Sequence, residues 1–573
     1  MKKYFFRVVV RPAALALFLC PALFAADTNS SSVLSVDQIM ASEQALVVPY
    51  TSSVTSIASV TSLTANASSA LDSNIYVSLR DCIVMGLAQN LGLVVERYTV
   101  PIAREVERSA ISVFDPVFYG LAEWQGQKSP RPYEKEFITG GHKMVIGNAD
   151  SQQTEFSGRI AGKFITGLDY SIASGNTRSW HQDAGGINPT FSTYTEGTLS
   201  VPLLKGFGLG VNLAPVRVAR NNWRISQVQL ESQMQDLITA IVYAYWNVYY
   251  AREQTSARQY SLQLAQELLS INQAKVNVGM AAPLDVTQAK ASIARQEDGL
   301  LVAQNAVRNF EDNLRLIVNF EMDVLQRPKA LRPIELHLVP LEKPEVVDVT
   351  YNEDDLLSYA LQHHQTLAIS SLQLANAKET TKVAKNNLLP QLNALGTLGY
   401  EGVGASFDGA YDDEYTARHP NWAAGLEVTV PLFYNDEIAT YRQAKYGQRQ
   451  SEITLEQVKQ QITIDVRTAT RNLATNRKRI DATRLATVFA REQLAAEREK
   501  FNVGQSTTFN VLDFQDKLAT AISDEIQALV EWKKSIADLQ KAVGKTLQVN
   551  NIVFDSYAAI PPEPKFIDDY IWR

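Results

Sequence analysis

The sequence predicts a mixed α/β chain, built by internal duplication, in which very long helices alternate with groups of short strands. Three observations predict this. First, KVNVGMAAPLDV (275–286) and KFNVGQSTTFNV (500–511) share the pattern K-x-N-V-G-x6-V at an offset of 225 residues (500 − 275). Second, the stretches from about Gly208 to Val276 and from about Asp436 to Val503 run almost free of helix breakers, with only Gly210, Pro215 and Gly447 near their starts. Third, the segments between them alternate apolar and polar residues with a period of two. At 573 residues the chain exceeds one ordinary core, so two domains or one large repeated architecture are expected.

The first element is an export signal. MKKYFFRVVVRPAALALFLCPALFAAD has a basic start, an apolar run from Ala13 to Phe24 and small residues at Ala25–Ala26, so residues 1–25 are expected to form a cleaved signal peptide. The apolar run is shorter than the roughly 20 residues a membrane anchor needs. Cys20 follows Leu19, where a lipoprotein would need a small residue; the second cysteine, Cys82, then stands alone in a helical pattern, where packing is its expected role. Residues 26–76 are rich in Ser, Thr and Ala and read as a flexible segment. No later run approaches ~18 apolar residues, which leaves a soluble exported protein or a membrane β-barrel. The net charge of −7, with no compensating basic patch, argues against nucleic acid as a partner.

The first repeat is expected over 77–320. It opens with VSLRDCIVMGLAQN (77–90), where Ser78 is the expected N-cap and Asp81 the N3 residue, and its helical pattern stops before FDP (114–116). A linker over 321–351 precedes the second repeat, 352–546. There, residues 352–390 align with the first element at a constant shift of 274 (355 − 81), matching Asp81 with Asp355, Leu93 with Leu367, Glu105 with Glu379 and Pro116 with Pro390. Pro116 and Pro390 are thus expected to start the strands. The proline-rich tail, 547–573, is expected to lie along the surface.

After each proline the period changes. NWAAGLEVTVPLF (421–433) puts Trp422, Ala424, Leu426 and Val428 on one face, QLNALGTLGY (391–400) alternates likewise, and so does the run from Phe191 to Leu203. A half-buried soluble sheet gives the same alternation, but the ~10-residue lengths and terminal aromatics also match membrane-crossing strands. FSGRIAGKFITGLDYSIASGNTRSW (156–180) reads as an additional hairpin, either on the external loop side or extending the strands.

The long stretches correspond to roughly 100 Å of helix each at about 1.5 Å per residue. Ile238, Ile241, Tyr245 and Val248, and Ile462, Val466, Ala469 and Leu473, follow the three-and-four spacing of a coiled-coil seam. Past Gly279 and Gly504, helices return over 283–319 and 508–544, so the repeated motif is the tip of an antiparallel helical pair. Lys275 and Lys500 suit the C-terminal end of the helix dipole.

No catalytic constellation is found. The adjacent pair His363–His364 aligns with Gln89–Asn90 and belongs to no metal motif; GFGLG (206–210) lacks the spacing of a dinucleotide loop and reads as a strand-to-helix bend. Asp412, Asp413 and Glu414 lie in a Gly-rich stretch with no base or nucleophile nearby. No cofactor is expected.

In this order, and duplicated, VSLRDCIVMGLAQN, FDP, VPLLKGFG (201–208), AYWNVYYA (244–251), KVNVGMAAPLDVTQAKA, VPLFYND and FNVGQSTTFNVLDFQ resemble the TolC family of outer-membrane efflux channels. The resemblance covers about 77–545. It implies a TolC-like homotrimeric channel in the outer-membrane lipid, in which each chain gives four strands to a shared twelve-stranded barrel, with a long periplasmic α-helical barrel closing at its tip. It also implies a periplasmic adaptor protein and an inner-membrane transporter as partners, in efflux or type I secretion. The family's periplasmic aperture falls here on Asp285, Gln288, Asn510 and Asp513, while its linking partners align with Ser506 and Phe501, which cannot form the same links. A soluble periplasmic coiled-coil adaptor or structural protein is the competing reading; it leaves the alternating strands unused.

Overall fold

The structure is a computed structural model that describes residues 74–136, 140, 142–182, 186–320, 337–346 and 351–552. The expected signal peptide, almost all of the 26–76 segment, most of the 321–351 linker and the tail from 553 onward lie outside the described residues.

A strand β1 (Asn74–Val77) leads into three short helices, α1 (Leu79–Gln89), α2 (Leu91–Arg97) and α3 (Thr99–Ile111). The Ser78 hydroxyl accepts the Asp81 N–H at 3.1 Å, the expected cap. The break between α1 and α2 falls at Asn90, whose side chain caps α2 by accepting the Leu93 N–H at 2.9 Å. The same break recurs in the second half between α7 (Glu353–His363) and α8 (Gln365–Asn386), where His364 stands at the equivalent position (364 − 90 = 274) and its Nδ1 accepts the Thr366 N–H at 3.3 Å.

Four strands follow α3: β2 (Val117–Glu136), β3 (His142–Lys163), β4 (Asp169–His181) and β5 (Thr190–Pro202). Pro116 immediately precedes β2, as Pro390 precedes β7 (Gln391–Gly404). A one-turn helix α4 (Leu209–Asn212) then opens the long helix α5 (Ala214–Asn277), which returns as α6 (Pro283–Val318). Beyond the short strand β6 (His337–Pro340), which pairs in parallel with β1, come α7, α8, β7, the nine-residue helix α9 (Phe407–Tyr415) and β8 (Pro420–Thr429). The second long helix, α10 (Asn435–Asn502), returns as α11 (Thr508–Val543), and a final turn forms α12 (Thr546–Val549).

The long helices have 64 and 68 residues and both returning helices have 36. They pack four abreast. Near the sheet the row is α3, α5, α8 and α10; toward the glycine turns it is α6, α5, α11 and α10. The seam residues Ile238, Ile241, Tyr245 and Val248 are completely buried, as their spacing predicts, and Ile462, Val466, Ala469 and Leu473 are buried in the second half. At mid-length the Tyr245 hydroxyl joins the parallel strand pair, accepting the Glu342 N–H at 3.2 Å. Beside it, the buried Glu311 carboxylate takes Arg252 on one oxygen at 2.7 Å and Arg315 on the other at 3.7 Å, so its charge is paired on both oxygens.

The sheet corrects one expectation. Its order is β2-β3-β4-β5-β7-β8, antiparallel throughout, so among the described residues the sheet has six strands and not four. The additional hairpin, β3–β4, is inserted within the sheet between β2 and β5. It turns at the helix-proximal end, where Gly208 N–H bonds the Thr166 carbonyl at 2.9 Å. Gly206 and Gly208, with φ of 83° and 95°, make the strand-to-helix bend. Beyond the Ser151–His181 pair, β2 and β3 continue alone for nine further residue pairs (128 to 136), a hairpin overhang of about 30 Å.

Candidate functional site

The pleat gives the sheet two unlike faces. One carries Phe118, Ala122, Trp124, Phe156, Ile160, Ile172, Phe191, Leu199, Leu398, Trp422, Leu426 and Val428, and most of these large side chains are exposed. The other carries Glu123, Glu155, Arg159, Lys163, Asp169, Glu196, Glu401 and Glu427. In a soluble protein the apolar face would be covered. Here, among the described residues, only its end farthest from the helices is, by α9. That helix rests on glycines: a Cβ on Gly402 would overlap the Ala410 carbonyl and the Glu414 N–H, and one on Gly404 the Ala410 nitrogen. Thr193 donates to the Ala410 carbonyl at 3.2 Å, Asn176 donates to the Tyr411 hydroxyl at 3.1 Å, and Phe191 meets Phe407 edge to face. Bare apolar surface on one side and charge on the other is the arrangement of a strand set that faces lipid outward and water inward.

The opposite end is a double helical tip. Each long helix ends in the same Schellman motif. Gly279, at φ 74°, donates to the Val276 carbonyl, and Met280 to that of Lys275 at 2.8 Å. Gly504, at φ 80°, donates to Phe501, and Gln505 to Lys500 at 2.8 Å. No side chain crowds either glycine, so the positive φ is the reason for its identity. After the turns the two copies differ. In α6 the Asp285 carboxylate accepts the Ala282 N–H at 3.2 Å, whereas in α11 Thr507 caps by accepting the Asn510 N–H at 3.3 Å. Asp513 lies one turn into α11, paired with Lys517 at 2.7 Å. Gln288, its counterpart in α6 (513 − 288 = 225), is half-buried, and Asn510, the counterpart of Asp285, is exposed.

Lys275 does not serve its own helix. Its ammonium reaches the Phe501 carbonyl at the end of α10 and tops the Phe501 ring, tying one tip to the other. A polar network missed from sequence lies beneath. Asn272, fully buried, donates to the Asp285 carbonyl at 3.3 Å and accepts from Thr508 at 3.4 Å. Its counterpart Glu497 (497 − 272 = 225) takes hydrogen bonds from Ser506 and Lys500, which hold its carboxyl below the usual range. Ser506 and Phe501 therefore join in tip contacts, though not with each other. The signal available was a polar residue repeated on the otherwise apolar face of each long helix.

Elsewhere the polar motifs are structural. His363 stacks on Tyr359, and among the described residues no group of three or more His, Cys, Asp or Glu could hold a metal ion. Cys82 is buried in the α1–α5 core, where desolvation pushes its thiol up to about 12. None of the described helices is long and apolar enough to cross a membrane.

Comparison with known proteins agrees with this geometry. The family described as outer membrane efflux protein matches residues 169–319 and 356–545, more than half of the chain. The outer membrane protein TolC of Salmonella enteritidis is 23% identical over 414 residues, covering 70% of this chain and 78% of that protein. The outer membrane efflux protein BepC of Brucella suis is 25% identical over 369 residues, covering 64% and 73%. The fold is shared with the CmeC outer membrane channel of Campylobacter jejuni at a TM-score of 0.56 and 17% identity, over 84% of this chain and 88% of that one. Membership of the family and the bare apolar sheet face set aside the soluble adaptor. The chain belongs to the outer membrane efflux protein family and is an outer-membrane efflux or secretion channel, its sheet in the membrane and its helices extending into the periplasm.

Proposed function

We propose that three copies form a passive duct through which substrates pass from a periplasmic adaptor and an inner-membrane transporter to the exterior. The observation that carries this reading is the open, two-faced sheet running directly into helices of 64 and 68 residues. Its edges would strand backbone hydrogen-bonding groups in lipid unless other chains cover them, and each such group costs several kcal/mol. The chain contributes no energy to transport: the GFGLG stretch is a bend between β5 and α5, not a phosphate loop. The tip is the gate, with Asp285, Gln288, Asn510 and Asp513 at the aperture and Gly279 and Gly504 turning the helices that carry them. Two structural repeats, 77–320 and 352–546, supply the two hairpins.

Light scattering of detergent-purified protein should give the mass of a trimer, and planar bilayers containing it should show discrete, cation-selective conductance steps without added nucleotide. A stable monomer, or hydrolysis of nucleotide by the pure chain, would overturn the reading.

A further inference from the structure

From the sheet topology we infer that three copies close one eighteen-stranded barrel, the β8 edge of each chain pairing antiparallel with the β2 edge of the next. This rests on the trimer proposed above and specifies how its membrane end is sealed. Four observations carry it.

The sheet has six strands, with β2 and β8 outermost and no seventh strand, helix or loop over either edge among the described residues. Every residue of β8 is exposed, including Trp422, Leu426 and Val428, and so is every residue of β2 from Val117 to Lys128. An even strand count sends β2 away from the helices and β8 back toward them, so joining β8 to the next β2 continues the antiparallel alternation around a closed ring. A sheet of five or seven would not.

Girth is the fourth observation. The helices run four abreast in each chain, hence twelve in a trimer. At ~10 Å between axes such a ring is about 120 Å around. Eighteen strands spaced ~4.8 Å and tilted ~40° make a barrel about 113 Å around, whereas twelve would make one of about 75 Å. Six strands per chain therefore match the helical ring, and the duct keeps its width into the membrane. The inserted β3–β4 hairpin supplies the difference.

The pairing has a parity rule. Outward residues have even numbers in β2 (Phe118, Gly120, Ala122) and in β8 (Trp422, Ala424, Leu426), so facing pairs across the seam sum to an even number. Cysteine pairs test this in native outer membranes. Ala424→Cys is combined with Gly120→Cys or Ala122→Cys, and in parallel with Leu121→Cys or Glu123→Cys, then oxidised. The expected result is at least tenfold more interchain disulfide for the best same-face pair than for either opposite-face pair, with ladders ending at a trimer. Ala424→Cys paired with Ala173→Cys on interior strand β4 should give none. If the protein sediments as a trimer and no same-face pair exceeds the opposite-face pairs, the seam is wrong while the trimer stands. If the protein is a monomer, both fail.

Discussion

Lys275 Nζ lies 2.8 Å from the carbonyl oxygen of Phe501 and 3.6 Å from the centre of its ring, so one lysine of the first tip holds the last turn of the second long helix. Lys500, in the same motif position, instead pairs with Glu497 on its own helix at 3.4 Å. The tips are copies in backbone and not in bonding. Lys275→Met should therefore loosen the tip by about 2 kcal/mol, the size of a charge-assisted hydrogen bond with a cation–π contact. Hydrogen exchange over 498–507 should accelerate roughly 30-fold, while Lys500→Met should change it by less than about threefold.

Asp285 and Asp513 have different local partners but the same expected charge at the aperture. Replacing both by Asn should lower cation selectivity and weaken block by multivalent cations in bilayer recordings. Asp285→Ala alone should also cost about 1 kcal/mol in the stability of the tip, because the Ala282 N–H loses its acceptor. Unchanged selectivity in the double variant would place the narrow point elsewhere.

His364 gives the helical region an acid-sensitive element. Burial lowers its pKa below the ordinary imidazole value, opposed in part by Asp465, so the unfolded chain binds the proton more readily than the folded one. Stability is then fully present above pH ~6.5 and falls as the pH drops from there toward the folded pKa. His364→Asn restores the residue found at the equivalent Asn90, retains a cap and removes the titration. The fall in thermal midpoint between pH 7 and pH 5 should be smaller in the variant than in the parent.

Gly402→Ala should displace α9, because the added methyl group overlaps the Ala410 carbonyl and the Glu414 N–H. Overpacking of this kind costs about 1–3 kcal/mol. Proteolysis of the 405–419 segment on intact cells should increase about tenfold. Gly425→Ala, which meets nothing within 4 Å, is the control and should leave it unchanged.

Local chemistry made much of this fold legible. Gly279 and Gly504 announce themselves because a Schellman turn needs a positive φ, Ser78 because an N-cap needs an oxygen, and Ile238 to Val248 because a seam needs its spacing. The number of strands was less accessible. In β4 the inward positions hold Ser171, Ala173, Gly175 and Thr177, residues that fit a water-filled lumen but give weak alternation, and only pairing with β3 and β5 makes them a strand. The helix α9, FDGAYDDEY, reads as an acidic loop because its support comes from Gly402 and Thr193 on distant strands. The tip network needed the same kind of information: Asn272 is a lone polar residue until Thr508, 236 positions away, arrives beside it.

The β3–β4 hairpin leaves no trace on the parts it is inserted between. A single added strand would reverse the direction of every later one and deliver α5 to the wrong side of the bilayer. An added pair returns the chain to where it left, through the Gly208–Thr166 contact, with α5 aimed as before. Lineages of such chains can thus change the width of the mouth only in whole hairpins, and can do so without rewriting the tip. Exit size and closure are separately heritable.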